Sequence, residues 1–174
     1  MIARTHTAAD GTTSRAIYSP CEAYRYRLDR SWSDAPPLVW IMLNPSTATE
    51  AANDPTIARC EVRARAQGFG GVRIVNIFAF RATAPADLKR STDPIGPQND
   101  AHLLDACDTG LTAGGLIVAG WGVHGAHRGR AAQVRQMLRD RDLQIHTLGL
   151  TRHGHPRHPL YVAYATTPRL WPHD

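Results

Sequence analysis

The side chains in this sequence best suited to chemistry are two asparagines, a proline-held histidine and a tryptophan set between glycines. Asn44 opens Asn44-Pro45-Ser46-Thr47 directly after an apolar run. Its amide could orient a water or a ligand carbonyl; equally, Asn-Pro makes a turn, and Thr47-x-x-Glu50 fits a helix capping box. Asn76 lies inside the apolar stretch Ile74-Val75-Asn76-Ile77-Phe78. A buried amide must be hydrogen-bonded or it destabilises the fold. Its adjacent donor and acceptor match a base edge, another amide, or the backbone of a neighbouring loop. His158 is held by Pro156, Arg157 and Pro159, and a fixed imidazole can donate to a developing anion. Trp121 stands between Gly120 and Gly122, where the backbone can turn sharply and the indole either faces a ligand or covers the core edge. Phe78 or Phe80 could stack on a ring.

Other chemistries lack their residues. Seven of the nine histidines fall from His124 onward, but Pro and Gly interrupt their spacing and no H-E-x-x-H pattern occurs, so no metal site is expected. The phosphate cradles G-x-x-x-x-G-K-[ST] and G-x-G-x-x-G are absent, as is G-x-S-x-G, and no cofactor is expected. Cys21, Cys60 and Cys107 are odd in number and far apart, which excludes a disulfide framework and predicts reduced thiols. The net charge is +5, and nineteen of the twenty basic residues are arginine. Arginine forks suit phosphate and stack on bases, although an Arg- and Ala-rich chain is also what a GC-rich genome encodes.

These residues need elements to position them. A chain of 174 residues with 43% hydrophobic content is of single-domain size and can build a core. Residues 1–15 are small and polar and are expected to be a flexible N-terminus, leaving 16–174 as one α/β domain. No apolar stretch approaches a membrane span or a signal peptide, so a cytoplasmic location is expected. Tyr24–Leu28 alternates like a strand. Leu38–Leu43 and Val72–Phe80 read as strands buried on both faces, with Leu116–Ala119 and Gln144–Leu148 as a third and a fourth strand. Asp54-Pro55 caps a helix carrying Ile57, Cys60 and Ala64 on one face, ended by Gly68. Asn99 or Asp100 opens a second helix, and Arg130–Asp140 forms a third. Alternating strands and helices predict a three-layer α/β/α sandwich with a mainly parallel, four-stranded central sheet. In such sheets ligands bind where loops leave the strand ends. Asn44 to Ser46, Asn76 to Arg81, Trp121 to His127 and Arg157 to Pro159 all fall at such ends, so polar side chains from four places converge on one mouth of the sheet.

Two resemblances follow. Met42-Leu-Asn-Pro-Ser-Thr-Ala48, Asp54-Pro-Thr-Ile57 with Arg59-Cys60, Val75-Asn-Ile-Phe-Ala-Phe-Arg-Ala82, Gly96-Pro-Gln-Asn-Asp100, Gly120-Trp-Gly122 and Arg157-His-Pro-Leu-Tyr161 together resemble the bacterial and phage domain-of-unknown-function 1643 family from about Tyr18 to Tyr161. That family carries no assigned activity. More remotely, Leu43-Asn44-Pro45, Val75-Asn76, Gly120-Trp121-Gly122 and His158-Pro159-Leu160 are similar, in order and position, to the four motifs of the uracil-DNA glycosylase superfamily. Met42 stands where that pattern has glycine, Asn44 where many members have aspartate, and Leu160 where it has serine. These departures leave the base open.

The remoter resemblance implies a uracil-DNA-glycosylase-like fold and a base-excising DNA N-glycosylase acting on a damaged or modified base. Asn44 would position the water and His158 would donate to the leaving base. Pro45, Ser46, Asn76, Trp121 and Arg157 would bind the substrate, with Phe78 or Phe80 stacking on the base. Arg81 and Arg128 would meet DNA phosphates. The alternatives are a nucleoside or nucleotide N-glycoside hydrolase, or a non-catalytic nucleic-acid-binding protein of phage defence or DNA repair. The expected partner is DNA, single- or double-stranded, or a nucleotide; the expected state is a monomer.

Overall fold

The computed structural model describes residues 1–172. Eight strands form one sheet: β1 (Ile2–Thr7), β2 (Thr13–Tyr18), β3 (Arg25–Ser31), β4 (Pro37–Met42), β5 (Gly71–Asn76), β6 (Leu116–Ala119), β7 (His146–Thr147) and β8 (Arg169–Leu170). Their spatial order is β1-β2-β3-β5-β4-β6-β7-β8. Helices α1 (Pro55–Ala66), α2 (Pro85–Arg90), α3 (Asn99–Thr112) and α4 (Arg130–Arg139) lie between strands.

This corrects the expected mainly parallel, four-stranded, uracil-DNA-glycosylase-like sandwich. The sheet is mixed, and four of its seven pairings, β1–β2, β2–β3, β3–β5 and β7–β8, are antiparallel. The three parallel pairings join β5 to β4, β4 to β6 and β6 to β7. The strands that change the architecture carry little apolar signal. β1 is almost wholly exposed, and β2 turns Ser14, Ala16 and Tyr18 inward, two of which are small. Residues 1–15, expected to be flexible, instead supply the first hairpin, paired from Ile2↔Tyr18 to Thr7↔Thr13. Asp10 closes its turn by accepting from the Thr12 N–H at 2.9 Å. The last two residues of the expected domain, 173 and 174, lie outside the described residues.

The central strands separate two cores by strict alternation. Leu38, Trp40, Met42, Val72 and Ile74 pack with Ile57, Cys60 and Ala64 of α1 on one face. Val39, Ile41, Val75 and Ile117 pack with Leu103 and Cys107 of α3 and Val134 and Leu138 of α4 on the other. α1 begins where its sequence dictates: Asp54 accepts from the Ile57 N–H at 2.9 Å, and Pro55, which has no N–H to satisfy, stands in the first turn. At the N-terminal end of α3, Gln98 is the flanking residue and no side chain caps it. Asn99, expected as a cap, lies inside the helix and serves β5 instead, as described below.

β5 ends at Asn76 rather than at Phe80. Beyond it the Ile77 and Phe78 N–H groups donate to Met42 and Leu43 carbonyls, while Ala79 and Phe80 donate to Ile95 and Pro94. The chain bends at Ile77 and leaves the ladder. Among the described residues no helix is long and apolar enough to cross a membrane.

Candidate functional site

One cavity of about 480 Å³ opens at the ends of β4, β5 and β6, within the roughly 300–1,000 Å³ typical of small-ligand sites. Met42, Ile57 and Ile74 give it an apolar wall. The segments following β4, β6 and β7 supply Asn44, Ser46, Trp121, Arg157 and His158, and the last residue of β5 supplies Asn76.

Asn76 is 2% exposed. Its backbone carbonyl accepts from Asn99 Nδ2 at 2.9 Å, but its own amide makes no hydrogen bond among the described residues. The amide lines the cavity, so the groups that would satisfy it must come from a ligand or solvent. Asn44 is half-buried, and its Nδ2 donates to the Pro45 and Ala82 carbonyls at 2.9 and 2.8 Å. Two carbonyl acceptors at one end fix that end as the NH₂, which leaves Oδ1 as the acceptor available to the cavity.

His158 is oriented by its own backbone. The Leu160 N–H donates to Nδ1 at 3.3 Å, which selects the neutral tautomer with its proton on Nε2. Burial pushes the imidazole below its ordinary pKa, with the Asp54 carboxylate pulling weakly the other way. At neutral pH the ring is therefore an uncharged Nε2–H donor. Tyr161, exposed at the mouth, has its ring 5.8 Å from that of His158. Trp121 is 1% exposed and is held against Trp171, 5.7 Å between centroids. Gly125 is the residue that admits it: a Cβ there would lie 2.2 Å from Trp121 Cδ1. Gly122, in the left-handed region at φ 69°, turns the chain after Trp121 and donates to the Pro156 carbonyl at 2.9 Å, tying this loop to the one carrying His158.

Of the other expected site residues, Pro45, Phe78, Phe80, Arg81 and Arg128 lie outside the cavity lining, and Arg157 stands at its mouth. Pro45 is buried beside the cavity, its carbonyl accepting from Asn44 and the Ala82 N–H. Phe78 is fully buried in the core of the α3 and α4 face, 5.8 Å from the His127 ring. Phe80 packs edge-on against Tyr24 at 6.0 Å. Neither lines the cavity, because alternation with Asn76 is lost once the chain leaves the ladder. Arg81 donates to the Glu22 carbonyl at 3.2 Å and sits over Tyr18. Arg128 donates to the Ser91 and Thr92 carbonyls, both at 2.9 Å. Both bind protein backbone. Arg157 is exposed, and its guanidinium makes no hydrogen bond or ion pair among the described residues.

Sequence reasoning missed Arg25 and Asp54 as cavity residues. Arg25 is 2% exposed yet lines the cavity. In the alternation Tyr24-Arg-Tyr-Arg-Leu28 it reads as a solvent-facing arginine, and no local signal separates it from Arg27. Asp54 was legible as a cap; both its oxygens are used, Oδ1 by Ile57 and Oδ2 by the Ala48 N–H at 3.3 Å. No group of three His, Cys, Asp or Glu residues suited to a metal occurs among the described residues.

Residues 25–160 match the family described as Protein of unknown function (DUF1643). The chain belongs to that family. The match runs from β3 to the 3₁₀ turn Pro159–Tyr161 and so contains nearly every cavity residue. No curated protein and no solved structure matches the chain.

Proposed function

We propose that this family member is a base-excising N-glycosylase, acting on a damaged or modified base in DNA. The observation that carries the reading is the buried, unpartnered Asn76 amide lining the cavity together with Asn44 and His158. An amide with no protein partner among the described residues offers an adjacent donor and acceptor to whatever enters the cavity, and a base edge is such a ligand. The remote similarity of the Asn44, Asn76, Trp121 and His158 motifs to the uracil-DNA glycosylase superfamily supports the same roles.

In this reaction a water oxygen forms a bond to the sugar C1′. The C1′–N bond breaks and its electron pair leaves with the base. The proton released by the water ends on the base or in solvent. Asn44 Oδ1 accepts one hydrogen of the water and aims it; an amide is too weak a base to remove the proton. The barrier is therefore lowered mainly at the leaving group, where the His158 Nε2–H meets an acceptor atom of the base as negative charge grows. A base in a duplex reaches the cavity only by leaving the stack.

An abasic-site assay tests this. Single-stranded and duplex oligonucleotides carrying uracil, hypoxanthine, xanthine or phage-type modified pyrimidines are expected to give strand scission after alkali for one base. That activity is expected to vanish in both His158→Ala and Asn44→Ala. Scission that survives both substitutions would remove the mechanism. A second reading, hydrolysis of a free nucleoside or nucleotide, is favoured by the tethering of Arg81 and Arg128 to backbone carbonyls, which takes two expected phosphate contacts away from a DNA track.

A further inference from the structure

We propose that Arg25 forms a phosphate-binding subsite inside the cavity, so that the ligand is engaged through a phosphate as well as through its base. The inference rests on the reading that the cavity takes a nucleobase, and it adds the second anchor point.

Arg25 is a buried cation with too few partners. Nη1 donates to the Ala48 carbonyl, Nε is buried with no partner, and Nη2 makes no hydrogen bond. Among the described residues no carboxylate lies within ion-pairing distance of it. Asp54 and Tyr18 favour its charge from further away, while Arg81 and Arg30 oppose it. Burial is the main influence and pushes its pKa down to about 10, so at neutral pH it keeps its charge. A desolvated, uncompensated guanidinium is expensive, and the surroundings that make it so also strengthen its attraction for an anion.

The neighbouring donors suit a group with several oxygens. Ser46 and Thr56 line the same cavity, and neither hydroxyl makes a hydrogen bond among the described residues. Thr56 stands in the first turn of α1, a helix of 12 residues whose positive end faces this wall. Asp54 offsets part of that field, but its oxygens are occupied by backbone N–H groups. A guanidinium, two hydroxyls and a helix start offer more donors than a planar carboxylate accepts; a tetrahedral phosphate uses them. The phosphate could be a diester beside an extruded nucleotide or the monoester of a free nucleotide.

Calorimetric titration distinguishes these. The probes are inorganic phosphate, 2-deoxyribose 5-phosphate, the four common deoxynucleosides, their 5′-monophosphates, and five-residue single strands without a terminal phosphate. With wild-type protein, at least one monophosphate or strand is expected to bind about tenfold or more tightly than its nucleoside, the scale of one charge-assisted hydrogen bond. Inorganic phosphate is expected to compete. The gap is expected to close in Arg25→Gln and to persist in part in Arg25→Lys. A strand binding more tightly than the monophosphate identifies the diester; the reverse identifies the monoester.

Nucleosides binding as tightly as their phosphates, a gap that survives Arg25→Gln, or no binding of any phosphate compound to wild type would each overturn the subsite. Should Arg25→Gln not fold, phosphate competition on wild type and the Arg25→Lys titration decide the question. Failure of the nucleobase reading looks different: deoxyribose 5-phosphate would bind in an Arg25-dependent way, and adding any base would gain nothing.

Discussion

The side-chain nitrogen Nδ2 of Asn99 lies 2.9 Å from the backbone carbonyl oxygen of Asn76. The same nitrogen reaches the Ile77 carbonyl at 3.2 Å, and Arg130 Nε reaches Ile77 at 2.8 Å. Two buried side chains thus hold the backbone where β5 stops and its last residue enters the cavity. Asn99 touches no cavity space itself; it positions Asn76. Asn99→Ala is expected to cost about 1–3 kcal/mol, the scale of a buried carbonyl left unsatisfied. Urea unfolding with an unchanged m-value would measure this, and a cost near zero would show that the end of β5 is held by the ladder alone.

Asn76 is expected to behave in the opposite way. Its amide faces the cavity and has no protein partner among the described residues, so an apolar side chain of similar size breaks no hydrogen bond within the protein. Asn76→Leu is expected to leave stability unchanged or raise it by about 1 kcal/mol, while ligand binding or turnover falls by at least about tenfold. Thermal unfolding beside the activity assay checks both halves. Strong destabilisation would mean that the amide has a structural partner.

The balance between what the sequence revealed and what it hid follows from where apolar signal lies. Leu38–Leu43 and Leu116–Ala119 are continuous apolar runs because both sheet faces are covered there, and they were legible as β4 and β6. Asp54-Pro55 announced α1 through chemistry local to the turn. β1 was hidden because an exposed edge strand needs no hydrophobic residues, and β2 because Ser14 and Ala16 fill its inward positions. The cavity residues after β4 to β7 were legible, since loops at strand ends are read by position. Arg25 was not: Tyr24–Leu28 reads as a strand, but its antiparallel place beside β5 and the turning of Arg25 into the cavity are set by tertiary packing.

The shift at His158 has a sign that can be tested. Burial holds its folded pKa below the ordinary value of about 6.5. The unfolded chain therefore binds more protons between the two values. The stability contribution is complete above the unfolded pKa and is lost as pH falls through the folded one. His102 and His146 are shifted the same way, chiefly by burial, and add to the slope. Stability is expected to decline as pH drops below about 6.5, and His158→Gln is expected to reduce that decline. Proton and nitrogen spectra of His158 at neutral pH are expected to report the Nε2–H tautomer; an imidazolium there would contradict the geometry.

Gly125 is expected to be intolerant of a methyl group. Its added Cβ would meet Trp121 Cδ1 at 2.2 Å and Nε1 at 2.8 Å, and that indole is pinned by Trp171. Gly125→Ala must displace the indole that lines the cavity, at a cost of about 1–3 kcal/mol for overpacking. Near-ultraviolet circular dichroism would follow the indole, and unfolding would follow the cost. An unchanged spectrum with unchanged stability would mean the loop yields instead of Trp121.

The arginines divide into tethered and free, and salt dependence separates them. Each phosphate neutralised by a cation steepens the fall of affinity with salt by about one unit of logarithmic slope on duplex DNA. Arg157 stands exposed at the cavity mouth, its guanidinium unpaired among the described residues, so Arg157→Gln is expected to reduce the slope by about one unit. Arg81 and Arg128 hold the carbonyls of Glu22 and of Ser91 and Thr92. Arg81→Gln and Arg128→Gln are expected to lower stability modestly and leave the slope unchanged. A reduced slope in Arg128→Gln would mean that this side chain exchanges its two carbonyls for a phosphate when nucleic acid arrives, returning it to the binding track.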